Sequence, residues 1–209
     1  YKRQHVAREQ SRNRIAELTT EIRSLATRRS NLPTDLVTIR DQIAQKVGAT
    51  PFALPFAGEL MDVRDASWQG AVERLLRGFA TTILVPDDLY PHVAQTVEAT
   101  FWGRRIAYER MREPRPGADE GRTNGRVLSV LTLADTPARA WLRQRISSGF
   151  PHVLVDTIEE LGRHERALTR GGQIKNRDHH VKDDSSAITD RSRWLIGTTN
   201  DALLSLIHI

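Results

Sequence analysis

The sequence predicts a small α/β domain, with α+β as the alternative, preceded by a helical coiled-coil arm. Residues 50–200 alternate between short apolar runs and amphipathic segments, separated by Pro, Gly or helix-capping residues. Residues 1–47 instead carry a helical repeat of apolar side chains. The chain has 209 residues and is 39% hydrophobic, which suffices for one globular core plus an extension.

The N-terminal segment has the apolar spacing of a coiled coil. Apolar residues recur at intervals of three and four, first before Pro33 and again after it. The positions are Ile15, Leu18, Ile22, Leu25, Leu36, Ile39 and Ile43. One such stripe is typical of a coiled-coil arm, or of an amphipathic helix packed on its own domain. We predict an arm over residues 1–47 that ends before Gly48.

The globular part is predicted to span residues 48–200 and to begin with an apolar, proline-containing linker. Short β-branched runs predict strands, whereas capping residues and prolines in the first turn predict helices. The predicted strands are 59–63, 81–85, 104–111, a segment within 126–135, 152–156 and 193–197, the last being a strand or a tight core segment. The predicted helices are 67–80, 86–100, 136–150 and 157–167.

A further helix is expected from about Thr198, so that residues 201–209 would begin a return arm. The final LSLIHI does not continue a charged helix and resembles translated adapter sequence, so it is left out of the fold prediction. Because the chain starts at Tyr1, we expect a fragment of a longer protein.

Composition narrows the function classes. The chain has no cysteine, which excludes disulfides and cysteine zinc sites. The absence of cysteine also suits a reducing cytoplasm, where we expect the protein to be located. No apolar run approaches the roughly 20 residues of a membrane span, so we expect no membrane contact. The net charge of +5 comes from residues 1–47, with 10 basic and 5 acidic residues; the remainder holds 21 of each. No nucleotide-binding glycine motif and no G-x-S-x-G occurs, so neither an ATP site nor a serine hydrolase is predicted.

The stretch RDHHVKDD over residues 177–184 contains residue types that bind metals and cleave phosphodiesters. A D-H-H triplet is also the name-giving motif of a family of metal-dependent phosphoesterases. The candidate ligands are His179, His180, Asp183 and Asp184. Adjacent side chains point apart, and no H-x-D-x-D motif precedes them. We therefore predict a charged loop and keep a metal-dependent phosphodiesterase as the alternative.

A local excess of positive charge surrounds this stretch. Residues 163–182 hold six basic and two acidic residues. Such a cluster predicts contacts with a nucleic-acid backbone, and the alternative is a solvated loop with paired charges. The candidate DNA-binding residues are Arg170, Lys175, Arg177 and Lys182, and Gly171 and Gly172 are candidates for a dimer interface. A stand-alone nucleic-acid-binding module is a further alternative function.

Six blocks occur in an order that resembles the hinge region of SMC-like ATPases. They are LPFAGELMDV, WQGAVERLLRGFATTILVPDDLYPHVAQTV, GRRIAYERM, ERALTRGGQIK, H-x-K-D-D at 180–184 and DRSRWLIG. The resemblance is strongest to the large coiled-coil subunit (JetC) of Wadjet-type bacterial condensins, which is related to MksF and MukB.

This resemblance implies a small mixed sheet with helices at the far end of a long antiparallel coiled coil, joining two copies as a homodimer. The segment itself would not be an enzyme or hold a cofactor, since ATP and Mg would bind in head domains elsewhere in the parent protein. The implied partners are DNA, kleisin-type and accessory subunits, and a nuclease that acts in plasmid defence.

Overall fold

The structure is a computed structural model that describes residues 31–114 and 124–199. The predicted seam before Pro33 and the predicted return arm lie outside the described residues. Five helices are present in the described part: α1 (Thr34–Lys46), α2 (Gln69–Ala80), α3 (Tyr90–Glu98), α4 (Arg139–Gly149) and α5 (Ile158–Arg163). Short 3-10 helices cover Pro51–Ala53, Ala57–Leu60, Val127–Val130 and Arg191–Arg193.

Eight strands form three sheets in this part of the chain. The strands are β1 (Met61–Val63), β2 (Ile83–Pro86), β3 (Tyr108–Met111), β4 (Leu131–Leu133), β5 (Val153–Val155), β6 (Arg166–Thr169), β7 (Gln173–Asn176) and β8 (His179–Lys182). β1 pairs antiparallel with β4, and β2 pairs parallel with β3. β5 to β8 form a mixed sheet in chain order, in which only β5 and β6 are parallel. The predicted α/β class is confirmed.

The order of elements repeats within the domain. A 3-10 helix, strand, helix, strand, helix and strand occur in that order before residue 115 and again after residue 123. Met61, Gln69 and Ile83 begin their elements 70 residues before Leu131, Arg139 and Val153 begin theirs. The described part is therefore built from two similar halves, and the second half is extended by β7 and β8.

The pairing of β1 with β4 relates the two halves by an approximate twofold axis. Met61 pairs with Leu133, and Val63 pairs with Leu131. The central pair is Asp62 with Thr132, two residues that are also 70 positions apart. Antiparallel pairing of equivalent strands in this register is the arrangement that a twofold axis generates.

One hydrophobic core joins the two halves. Helix α2 contributes Val72 and Leu76, which are fully buried, and α4 contributes Leu142 and Ile146. These side chains recur at helical spacing, so each helix turns one apolar face inward. The same cluster also includes β2, β4 and the buried Leu168 of β6.

Helix α1 packs into this core as well. Leu36 and Ile43 are buried there, and Ile39 packs at its margin. The prediction that Leu36 and Ile43 belong to a coiled-coil seam is wrong for the described structure, because they face the domain's own core. The buried guanidinium of Arg40 donates to the carbonyls of Pro51 and Leu54 at 3.4 Å. The arm over residues 1–47 as a whole stays a prediction, since residues 1–30 lie outside the described part.

Two other predicted elements differ in the structure. The helix predicted over 157–167 ends at Arg163, because Arg166–Thr169 forms β6 and buries Ala167 and Leu168 between β5 and β7. Pairing in the sheet outweighs the local helical pattern there. The segment 193–197 is a core segment and not a strand, with Leu195 and Ile196 buried.

A buried carboxylate fastens this last segment to α2. The Glu73 carboxylate accepts hydrogen bonds from the backbone N–H groups of Leu195 at 2.9 Å and Ile196 at 3.0 Å. Burial raises the pKa of Glu73 from 4.5 to about 7, although these hydrogen bonds oppose the shift. Nearby, the Asn31 side chain donates to the Ile196 carbonyl at 3.2 Å, so the described part begins and ends side by side.

Replacing Ile43 by alanine tests whether α1 is part of the domain core. Because Ile43 is fully buried, we expect a loss of about 2–5 kcal/mol in the free energy of unfolding, measured by chemical denaturation. Gln42→Ala, an exposed change on the same helix, should shift it by less than about 0.5 kcal/mol. Equal small effects from both variants would contradict the packing of α1.

Replacing Glu73 by glutamine tests the buried carboxylate. The pKa is raised in the folded state, so its contribution to stability is fully present below pH 4.5 and is lost as the pH rises to about 7. We expect Glu73→Gln to remove a decline of roughly 3 kcal/mol in the unfolding free energy across that window. Glu159→Gln, on an exposed position of α5, should leave the pH profile unchanged. A Glu73→Gln profile as steep as that of the parent chain would contradict this assignment.

Candidate functional site

The sequence predictions converge on residues 163–184, which the structure folds as two consecutive β-hairpins. The first turn joins β6 to β7: the N–H of Gly172 donates to the Thr169 carbonyl at 2.9 Å, and Gly172 has a φ of 80°. A type I turn followed by a left-handed glycine is a common hairpin connection. The middle half of the stretch predicted to be a charged loop, His179–Lys182, is thus a strand.

The two candidate interface glycines differ in environment. Gly172 is buried against its own chain, where an added Cβ would lie 2.8 Å from a guanidinium nitrogen of Arg74 and 3.1 Å from Ile188. Gly171 is exposed, and its nearest neighbour would be Thr169 at 3.8 Å. The packing within the chain therefore explains why a glycine is required at position 172. A role for either residue in a dimer interface stays a prediction.

The second turn, Arg177 and Asp178, joins β7 to β8. Arg177 has a φ of 57°, and its N–H donates to the Glu165 carbonyl at 2.5 Å. A positive φ is unusual for arginine because the region favours glycine, asparagine and aspartate. The turn therefore holds Arg177 at the tip of the hairpin in a strained backbone conformation.

β8 is the open edge of the four-stranded sheet. All four of its residues are exposed, and within the described part it pairs only with β7. Successive residues of an antiparallel strand direct their backbone N–H and C=O groups to opposite sides. Because the N–H of Arg177 points to Glu165 before β6, the backbone groups of Ile174 point to β8, where Ile174 and Val181 form a hydrogen-bonded pair. The backbone N–H and C=O groups of His180 and Lys182 therefore point away from the sheet.

β3 is a second open edge. It pairs with β2 alone in the described part. The N–H of Ile83 donates to the Ala107 carbonyl at 2.9 Å, so the backbone groups of Tyr108 and Arg110 point outward in this parallel ladder. β3 corresponds to β6 of the second half, and the equivalent side of β6 is covered by β7.

Three of the four candidate DNA-binding residues contact their own chain. The Arg170 guanidinium donates to Asp156 at 2.5 Å and to Ser67, and lies over the ring of Trp68. Lys175 donates hydrogen bonds to two backbone carbonyls near the C-terminal end of α5. Lys182 forms an ion pair with Asp184 at 2.8 Å.

The side chain of Arg177 makes no hydrogen bond or ion pair within residues 31–114 and 124–199. A DNA contact at the four residues stays a prediction, and Arg177 is the one whose charge has no such partner there.

The metal-site alternative is not supported by the geometry. His179 and His180 are neighbours on β8 and project from opposite faces of the sheet. Hydrogen bonds from Ser185 hold the pKa of Asp183 below its ordinary value, and a hydrogen bond from Lys182 does the same for Asp184. Across the described residues, no three His, Cys, Asp or Glu side chains are grouped so as to hold a metal ion.

Several residues that the structure brings together are absent from the sequence predictions. Arg126 and Arg166 lie beside Arg177 around one cavity, although Arg126 is distant in sequence. No local pattern indicates this grouping, because it depends on the bridge between Arg126 and Val153. Glu73 could have been found, since it falls within the apolar stripe of α2.

Comparison with known proteins shows a similarity of fold. Comparison of the sequence with protein-family models and with curated proteins gave no match. Among solved structures, the SMC hinge domain of Pyrococcus furiosus superimposes with a TM-score of 0.53 at 16% identity, covering 84% of this chain and 90% of that one. An asymmetric dimer of the Geobacillus stearothermophilus SMC hinge domain gives a TM-score of 0.56 at 13% identity, covering 98% and 82%.

The fold is that of SMC hinge domains. A Pyrococcus furiosus Smc hinge domain with an extended coiled coil is also similar, with a TM-score of 0.52 at 16% identity, and covers 87% of this chain and 68% of that chain. The hinge-like mixed sheet with helices that the sequence predicts agrees with this likeness. Of the helices in the described part, none is long and apolar enough to cross a membrane.

Alanine at the two glycines tests how the first hairpin turn is held. We expect Gly172→Ala to lower the unfolding free energy by about 1–2 kcal/mol, because its φ is left-handed and the space is filled. Gly171→Ala should change it by less than about 0.5 kcal/mol. Thermal and chemical denaturation would measure both, and the reverse order would contradict the observed turn.

Proposed function

We propose that this chain is the hinge segment, with one arm end, of an SMC-like ATPase, and that its role is to join two copies. The open edge of β8, carried on a hinge-like fold, is the observation that supports this role. An unpaired strand edge offers N–H and C=O groups that a second chain can pair with. Val181, which is 41% exposed, adds an apolar side chain to that edge.

The partner surface we propose is the β3 edge of a second copy. Among the residues that the structure describes, β3 has no neighbour equivalent to the one that β7 provides for β6. A strand added beside β3 would complete the first half as the second is completed. Pairing β8 of each copy with β3 of the other makes the same contact twice and closes a twofold dimer. The Geobacillus stearothermophilus SMC hinge domain, which has a similar fold, forms an asymmetric dimer, and this supports the role of joining two copies.

The finer assignment to a Wadjet-type condensin is part of this proposal and rests on the six sequence blocks. In that setting the segment itself is not an enzyme, and ATP and Mg act in head domains of the parent protein. DNA, kleisin-type and accessory subunits and the nuclease would engage the parent complex, and DNA could also contact the charged hairpins. We propose that the complex works in the cytoplasm.

Proline substitution at the outward-facing edge positions tests the dimer. His180→Pro and Arg110→Pro each remove an outward N–H donor without removing a bond inside their own sheet. We expect each variant to weaken self-association at least about tenfold, as measured by sedimentation over a range of micromolar concentrations. Thermal denaturation checks that the variants remain folded.

The matched controls are His180→Thr and Arg110→Thr, which lose the same side chains but keep the backbone donor. They should associate as the parent chain does. If His180→Pro dissociates the dimer but Arg110→Pro does not, β8 pairs with something other than β3. A parent chain that is monomeric throughout the concentration range would overturn the proposed role.

A further inference from the structure

Three arginines from separate parts of the chain line one cavity. The cavity has a volume of about 280 Å³ and is bordered by Arg126, Arg166 and Arg177, together with His164 and Glu165. The start of β5, the start of β6 and the β7–β8 turn meet there. Glu165 is the only acidic residue among the lining residues, so the residues around the cavity include three arginines and one glutamate.

Two of these arginines are positioned by neutral partners. Arg126 donates to the Pro151 carbonyl at 2.8 Å, and Arg166 donates to the side-chain oxygen of Asn176 at 3.0 Å. Within the described residues none of the three forms an ion pair, so their charges are not neutralised by a carboxylate there. Each guanidinium retains N–H donors beyond those used, because the group carries five.

Arg177 lies beside these two arginines in an unfavourable backbone conformation. Its φ of 57° lies in the region that favours glycine, yet its N–H is anchored to Glu165 and its side chain has no partner in the described part. An unpaired arginine at a strained turn, next to two other arginines, is an arrangement suited to an external anion.

The neighbouring histidine does not supply the positive charge. His152 lies between the lining residues Pro151 and Val153, and only 5% of its surface is exposed. Burial, and then the charge of Arg166, lower the pKa of His152 to about 4. His152 therefore adds no positive charge beside the arginines at neutral pH.

We propose that this cavity, the Arg126–Arg166–Arg177 pocket, binds a phosphate group. Planar guanidinium groups match the oxygens of phosphate and can each donate two parallel hydrogen bonds. The phosphate can belong to a nucleic-acid backbone or to a small phosphate compound, and the chemistry of recognition is the same. The pocket does not require self-association and makes no use of the outward backbone groups of β8 or β3.

Arg177→Gly is the decisive variant, because glycine removes the guanidinium and also suits the φ of this position. The full chain and the variant are titrated with inorganic phosphate by calorimetry, and with a short fluorescein-labelled DNA duplex by anisotropy at several salt concentrations. Arg105→Gln, at an exposed arginine outside the pocket, controls for net charge. Thermal denaturation checks folding, and we expect Arg177→Gly to be at least as stable as the parent chain.

We expect Arg177→Gly to weaken phosphate binding about tenfold, with little effect from Arg105→Gln. If the ligand is a nucleic-acid backbone, the variant also weakens duplex binding and lowers its salt dependence by about one ion. Weakening with inorganic phosphate alone assigns the pocket to small phosphate compounds, and weakening with the duplex alone assigns it to backbone phosphate. The proposal is overturned if neither probe binds the parent chain, if Arg177→Gly binds both as the parent does, or if Arg105→Gln has an equal effect.

Discussion

The buried carboxylate of Glu73 is the interaction on which the closure of this domain depends. Its two hydrogen bonds from Leu195 and Ile196 tie the last described segment to the helix at the centre of the first half. Asp62 adds to this by accepting from the N–H and hydroxyl of Thr198, at 2.9 and 2.7 Å. Hydrogen bonds of this kind fix the orientation of the last described segment as well as its distance from α2, because the backbone donors must point at the carboxylate. The first and last segments of the described part are thereby held together.

The internal repeat explains the distribution of paired and unpaired edges. Two halves of the same element order meet through β1 and β4 and share one core, so neither half has to bury its helices alone. The second half carries an additional hairpin on β6, whereas the corresponding edge of β3 has no added strand in the described part. This asymmetry leaves one edge that can receive a strand and one, β8, that can supply it. A fold of two unequal halves is in this way suited to forming a closed dimer.

In the charged hairpins, the positions of the side chains in the sheet do not allow the metal site that their composition suggests. RDHHVKDD has the composition of a metal site, but alternation along β8 separates its histidines and local hydrogen bonds occupy its acids. Several of the basic residues are likewise engaged in holding the fold, with Lys175 at the end of α5 and Arg170 on Trp68. At the hairpin tip, the side chain of Arg177 has no hydrogen-bond or ion-pair partner in the described part, and Arg177 lines a cavity together with Arg126 and Arg166.

Three features could be predicted from the sequence alone: the α/β class, the order of most helices and strands up to residue 156, and the apolar faces that form the core. These follow from local periodicity, capping and composition, which act within a few neighbouring residues. Long-range packing, in contrast, buries Leu36 and Ile43 of α1 in the core, folds residues 163–182 mostly as sheet and brings Arg126 beside Arg177. The physical reason is that strand pairing and burial depend on residues far away in sequence, so short polar strands such as β7 and β8 have no local signal of their own.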